Sequence, residues 1–150
     1  MSDFKTNLND NRLAEEAAHG LDGVIDKTDP KHNKHLYGLV VQYEDIDAGG
    51  IVYHSTYLNF AERARSALLR ASKFDVQYWL AEENQGFVIT HIETDYLSPA
   101  KLHNRLIVET SCLQLGGASA LLQQNINSFD RGHIFARVMV KAAWVDIETG

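Results

Sequence analysis

From Phe87 onward the chain holds four strand-length runs and little else. Phe87–Leu97 stops at Ser98-Pro99, Arg105–Leu115 at Gly116-Gly117, and Ser119–Asn127 at Asp130-Arg131-Gly132; His133–Asp146 follows. Each run is rich in β-branched and aromatic residues and each break is built from turn formers, so successive runs are joined by hairpins and pair antiparallel. Upstream, one segment has a helical period. Tyr57, Ala61, Ala64, Leu68 and Ala71 recur every three or four residues, with Asn59, Glu62, Arg63, Arg65 and Arg70 between them. The alanines let such a helix lie close against a sheet. LYGLVVQY, Leu36–Tyr43, reads as a strand before it, and Val76–Glu83 as a second short helix after it. The expected fold is therefore α+β, one curved antiparallel sheet of five strands wrapped around a long central helix.

At 150 residues and 45% hydrophobic, the chain has the size of one domain with a proper core. Residues 1–35 are polar, break at Gly20, Gly23 and Pro30, and are expected to be a mobile N-terminal extension to a domain spanning 36–150. Within them Leu13, Ala14, Ala17, Ala18 and Leu21 recur at helical spacing, with Asn9 or Asp10 as cap, which suits a short amphipathic turn that docks. The one cysteine, Cys112, cannot form an intramolecular disulfide and reads as a small core residue. A cytoplasmic location fits, as no run approaches the ~20 apolar residues of a membrane span. A net charge of −6 argues against general affinity for nucleic acid. His32 and His35 stand three apart without cysteines or a second ligand pair, so they read as solvated side chains, and no metal is expected. The final strand is apolar over most of its length, as expected where a sheet continues across a subunit interface.

The segment YEDIDAGGIVYHSTYLNFAERAR, Tyr43–Arg65, sets three acids, a double glycine and a histidine before the helix. Ser55 or Thr56 is a plausible N-cap, so the helix's positive end points back at the Asp47–His54 loop. Unpaired N–H groups there can stabilise an oxyanion, and a neighbouring carboxylate would complete an acyl-transfer site. Asp47 is the candidate carboxylate, Gly49-Gly50 permit a tight turn, and His54 falls at the helix mouth. The same features also serve as a plain helix-start device. Tyr53 either lines a pocket or packs at the junction. Asp45 reads as an exposed turn acid or hydrogen-bond acceptor, Glu62 as a surface partner of Arg65 or Arg63, and Ser119 in GGASA as structural.

EDIDAGGIVYH with Tyr57 and ERAR, and then GFVITHIETDYLSPAKL (Gly86–Leu102), closely resemble the hotdog-fold acyl-CoA thioesterases of the 4-hydroxybenzoyl-CoA thioesterase family, in particular the YbgC-type branch associated with the tol-pal cluster. The likeness covers about 110 residues and fades into pattern-level agreement beyond Arg105. What it implies is a hotdog fold, paired into a homodimer or homotetramer, with acyl-CoA bound at the subunit interface and no cofactor. It assigns Asp47 as nucleophile or general base and the His54 N–H as oxyanion donor, with the His54 side chain as a second contribution; Tyr53, from its place at the mouth, is the candidate for substrate binding. It also leaves a rival from another class: a non-catalytic hotdog module that binds acyl carrier protein or a cell-envelope partner. One departure is His103-Asn104, where the family usually has an aspartate, so a turn hydrogen bond there is expected to differ.

Overall fold

A computed structural model describes residues 12–150. Asn9 and Asp10, the expected caps, lie outside the described residues. The chain runs as α1 (residues 12–19), β1 (Val24–Asp26), β2 (Lys34–Val40), α2 (Thr56–Ala71), α3 (Val76–Glu82), β3 (Gln85–Tyr96), β4 (Arg105–Leu115), β5 (Ser119–Ser128) and β6 (Ile134–Asp146). All neighbouring strands pair antiparallel, in the order β1-β2-β4-β5-β6-β3, so β3 lies beside β6 and not, as the order of the runs suggests, beside β4. The sheet has six strands, not the expected five. The extra one is the three-residue β1, too short to leave a periodic signal in a polar stretch.

The sheet wraps α2. Tyr57, Phe60, Ala61 and Ala64 of the helix pack against Leu106 and Val108 of β4, Ile126 of β5, and Ala136, Val138 and Val140 of β6, all of them buried. Phe60 is fully buried, and burying a side chain of that size contributes about 2 kcal/mol or more. Gln124 fixes the helix in register. Wholly buried on β5, it donates from Nε2 to the Ala61 carbonyl at 2.9 Å and to Thr110 Oγ1 at 3.0 Å, while Oε1 accepts from Arg65 at 2.8 Å. A buried amide is tolerated because it is paired in this way.

Part of the 1–35 segment packs onto the domain. Leu13, Ala14 and Ala17 of α1 are buried with Leu36 and Ile107 on the sheet's outer face. Gly38 makes the close approach possible, since a Cβ there would stand 2.7 Å from the Cα of Ala18. The chain then crosses the β2 edge to the helix side. There His35 Nε2 donates to the Asp22 carbonyl at 2.7 Å and Arg70 of α2 bonds Asp22 Oδ1 at 2.7 Å. His35 is therefore not solvated: it is 2% exposed, whereas His32 sits outside, against Asp29. Arg131, between β5 and β6, ties β1 to β4 through Asp26 at 3.1 Å and through Glu109.

At the opposite edge of the sheet no further strand pairs among the described residues. β3 is its last strand and exposes Phe87, Val88, Ile89, Ile92 and Tyr96. Cys112 is exposed rather than in the core, because it lies in the distal part of β4, where residues 112–115 are all exposed, beyond the buried run of residues 106–110. The β3–β4 turn is closed by Asn104, whose Oδ1 accepts from Lys101 N at 2.9 Å, so the asparagine supplies a turn bond itself.

Candidate active site

Asp47 stands in a tight hairpin. Ile46 bridges Val52, the Asp47 N–H bonds the Ile51 carbonyl at 2.9 Å, and the Gly50 N–H returns to the Asp47 carbonyl at 3.0 Å. Gly50 has φ +81°, a conformation that costs a side-chain-bearing residue about 1 kcal/mol or more. Gly49 N–H bonds Asp47 Oδ1 at 2.8 Å. Oδ2 has no hydrogen bond among the described residues, so one carboxylate oxygen is anchored and the other is available.

Asp45 is a buried acceptor, not an exposed turn acid. It is 5% exposed, takes the Gln42 N–H at 2.8 Å, and through its carbonyl takes the Tyr53 N–H at 3.0 Å. It holds the start and end of the loop together, leaving Asp47 to face the cleft.

Two peptide units at the mouth of α2 are pinned by their carbonyls. Tyr53 O accepts from Thr56 N at 2.9 Å, and His54 O accepts from the Tyr96 hydroxyl at 2.9 Å. In a trans peptide the N–H points opposite the C=O, so the His54 and Ser55 amides are turned away from these bonds. Neither donates a hydrogen bond among the described residues. Ser55 stands at the N-cap but makes no side-chain capping bond, and the first turn holds no acid, so neither a cap nor a first-turn carboxylate neutralises that end of the helix.

Asp47 and His54 line one cleft of about 460 Å³, together with Ile51, Tyr57, Tyr96, Leu97 and Pro99. Tyr57 is buried, its hydroxyl accepts from Ala100 N at 3.0 Å, and burial raises its pKa above the ordinary phenol range. It thus locks the β3–β4 turn beside the Asp47 loop, where Val52 N also bonds the Ala100 carbonyl at 2.9 Å. The His54 ring lies 4.3 Å from Tyr53 and edge-on to Tyr96 at 6.4 Å, centroid to centroid. Tyr53 reaches the site through that ring contact and is not itself among the residues lining the cleft. Glu62 is paired with Arg65 on the helix face and does not join Asp47. Tyr96 and Tyr57 are organising residues that the reading of candidate acids and histidines left out, although Tyr96 opens the Tyr-x-x-Pro-Ala stretch.

The description "Thioesterase superfamily" belongs to the family model that matches residues 49–134, more than half the chain. The chain belongs to the thioesterase superfamily. It is 41% identical over 115 residues to a Haemophilus influenzae protein named acyl-CoA thioesterase YbgC, covering 77% of this chain and 83% of that one. It is 32% identical over 98 residues to the Escherichia coli long-chain acyl-CoA thioesterase FadM, covering 65% and 73%. Among solved structures, a probable thioesterase from Bartonella henselae superposes with a TM-score of 0.71 at 30% identity, over 78% of this chain and 95% of that one. The antiparallel sheet around α2 is accordingly the hotdog fold of that superfamily.

Proposed function

We propose that this chain hydrolyses acyl-CoA thioesters to the free acid and CoA, with Asp47 as nucleophile or general base and the His54 N–H as oxyanion donor. The observation that carries this reading is the shared cleft, where an anchored carboxylate with one open oxygen meets a helix N-terminus whose first amides are uncommitted. In the general-base route Asp47 Oδ2 takes a proton from water as the water oxygen adds to the thioester carbon. The carbonyl oxygen becomes an oxyanion on the His54 N–H. Collapse breaks the C–S bond, and the departing thiolate recovers the proton. In the nucleophilic route Oδ2 itself adds, CoA thiolate leaves, and water hydrolyses the resulting anhydride. Either route suits a thioester, whose leaving group needs little acid assistance. Tyr53 is assigned to the mouth of the site, where it braces the His54 ring.

The reading includes a homodimer formed through β3. The far edge of the sheet is covered by β1, α1 and the strap around β2, whereas twelve-residue β3, paired with β6 on one side, offers an open outer edge and exposed apolar side chains. An edge of that length pairs with another strand unless something blunts it, and a second copy supplies the matching edge. A reducing cytoplasm suits the exposed lone thiol of Cys112. No helix among the described residues is long and apolar enough to cross a membrane.

The test is incubation of the purified protein with acyl-CoAs from acetyl to hexadecanoyl and a thiol-reactive dye. Thiol release from at least one of them is expected; none from any would reject the hydrolase reading in favour of a non-catalytic acyl or carrier-protein binder.

A further inference from the structure

The head of α2 has to stand at one distance and one angle from Asp47, yet most of what holds the helix gives no such precision. Of its buried residues only Tyr57 and Phe60 are large; Ala61, Ala64 and Ala67 present no more than a methyl group. Burial of apolar surface is non-directional and small side chains make shallow ridges, so such a face resists lifting from the sheet more than sliding or tilting along it. Direction comes from hydrogen bonds. Among the described residues, two reach the first two turns of α2 from the sheet and its turns: the Ala100 N–H to the Tyr57 hydroxyl at 3.0 Å, and the Gln124 amide to the Ala61 carbonyl at 2.9 Å.

The Tyr57 bond alone is a pivot about which the helix can still tilt. Gln124 supplies a second fixed point about one turn further along the same face, and two points define an axis. Its own footing is firm. Gln124 is wholly buried on β5, which lies between β4 and β6, and its register partner on β4 is Thr110. Nε2 directs its second hydrogen to Thr110 Oγ1 at 3.0 Å and Oε1 accepts from Arg65 at 2.8 Å, so a single orientation of the amide satisfies all three partners. The reacting end of the helix lies on the other side of the pivot. Ser55, at the N-cap, stands about 9 Å along the axis from Ala61, and a tilt at Ala61 is carried to the His54 N–H beside it.

We propose that Gln124 is a positioning residue for thioester hydrolysis: its bond to the Ala61 carbonyl fixes the tilt of α2 and so the placement of the His54 N–H relative to Asp47. It touches neither substrate nor the reacting atoms. The proposal rests on the hydrolase reading above and deepens it by naming what holds the oxyanion donor in place. A donor held still stabilises the oxyanion without reorganising at the moment of reaction. A displacement of about 1 Å that originates far from the chemistry can cost about 10²-fold in rate. Ground-state binding of the acyl-CoA depends less on that placement, so the effect falls on kcat. A purely structural amide would matter equally through all three of its partners, whereas a positioning amide matters to the rate through Ala61.

Three variants of the full chain separate the Ala61 bond from stability. Gln124→Glu keeps the side chain's length and still accepts from Arg65 and from the Thr110 hydroxyl, but loses the donation to Ala61. Gln124→Met loses all three bonds. Arg65→Met removes the partner of Oε1 and leaves both Nε2 bonds. Assayed well below each melting midpoint, Gln124→Glu and Gln124→Met should lose about ten-fold or more in kcat with KM within about two-fold, while Arg65→Met keeps kcat within about two-fold although its midpoint drops. The Thr56 and Leu58 amides, which bond the Tyr53 and Ser55 carbonyls, should exchange with deuterium about ten-fold faster in Gln124→Glu than in wild type. Wild-type kcat in a folded Gln124→Glu overturns the proposal. So does a loss in Arg65→Met equal to that in Gln124→Glu, which would tie the rate to stability, or a change confined to KM. Failure of both Gln124 variants to fold rejects positioning in favour of a structural role. If the wild type releases no thiol from any acyl-CoA, the hydrolase reading fails separately, and the hold on the helix head is then judged by exchange alone: equal rates in wild type and Gln124→Glu reject it.

Discussion

Gly49 donates its backbone N–H to Oδ1 of Asp47 at 2.8 Å, so the carboxylate is oriented by its own turn and not by a charged partner. An asparagine keeps an Oδ1 that can accept the same bond but loses the basic, nucleophilic Oδ2. Asp47→Asn should therefore leave the thermal midpoint within a few degrees of wild type while lowering kcat by about 10²–10⁴-fold. Thiol-release kinetics beside a melting curve would check both halves, and a fully active variant would remove Asp47 from the mechanism.

The His54 ring rests against Tyr53 and Tyr96, while its backbone amide is the group turned away from the pinned carbonyls. If the amide is the oxyanion donor, His54→Ala keeps it. The expected loss in kcat is about ten-fold or less, below the 10²–10⁴ that a general acid or base contributes. A loss equal to that of Asp47→Asn would instead assign the chemistry to the imidazole.

Tyr96 acts on the site through the His54 carbonyl, which makes it a positioning residue. Tyr96→Phe removes a bond worth about 1 kcal/mol and loosens His54, the residue whose N–H is the proposed oxyanion donor, so kcat should fall by roughly five-fold. The change should appear in kcat with KM nearly constant, since the phenyl ring still lines the cleft. A rise in KM alone would make Tyr96 a binding residue.

Much of this arrangement is legible along the chain because it is local. The period of Tyr57, Ala61, Ala64 and Leu68 marks α2 to within about one residue, and the Gly-Gly and Asp-Arg-Gly punctuation marks the ends of β4 and β5. The acid-Gly-Gly turn before a helix is likewise a local pattern. What escapes is what depends on distant partners. The apolar positions of α1 are visible, but the groove that receives them exists because Gly38 lies opposite Ala18. The burial of His35 depends on the Asp22 carbonyl, and the role of Tyr96 on a carbonyl 42 residues away. Cys112 is exposed because the end of β4 runs past the buried core, which no count of apolar neighbours reveals.

Arg131 lies between two acids, Asp26 and Glu109, and all three side chains are largely removed from water. Burial alone would raise the Asp26 pKa, but its bonds to Thr28 and to Arg131 outweigh it and hold the carboxyl below the usual range. Replacing the cation strands two buried carboxylates, so Arg131→Met should cost about 3 kcal/mol in urea unfolding. Adding Asp26→Asn and Glu109→Gln to that variant should recover part of the loss. If Arg131→Met unfolds at the wild-type midpoint, the triad does not hold β1 to the sheet.

His35 gives the fold a stability change near neutral pH. Its Nε2 donates to the Asp22 carbonyl, so its Nδ1 is the unprotonated nitrogen, and that atom is buried without a partner among the described residues. Burial, only partly offset by the Asp22 bond, lowers the pKa from the ordinary 6.5. Below pH 6.5 the unfolded chain therefore binds a proton that the folded chain refuses. Stability is complete above that pH and falls as the solution is acidified, by up to about 1.4 kcal/mol per pH unit until the folded-state pKa is reached. His35→Phe removes the titrating group at similar volume. Melting temperatures from pH 8 to pH 5 should fall more steeply for the wild type than for this variant, with the difference opening below pH 6.5. Parallel curves would mean that His35 is protonated as readily inside the fold as outside it.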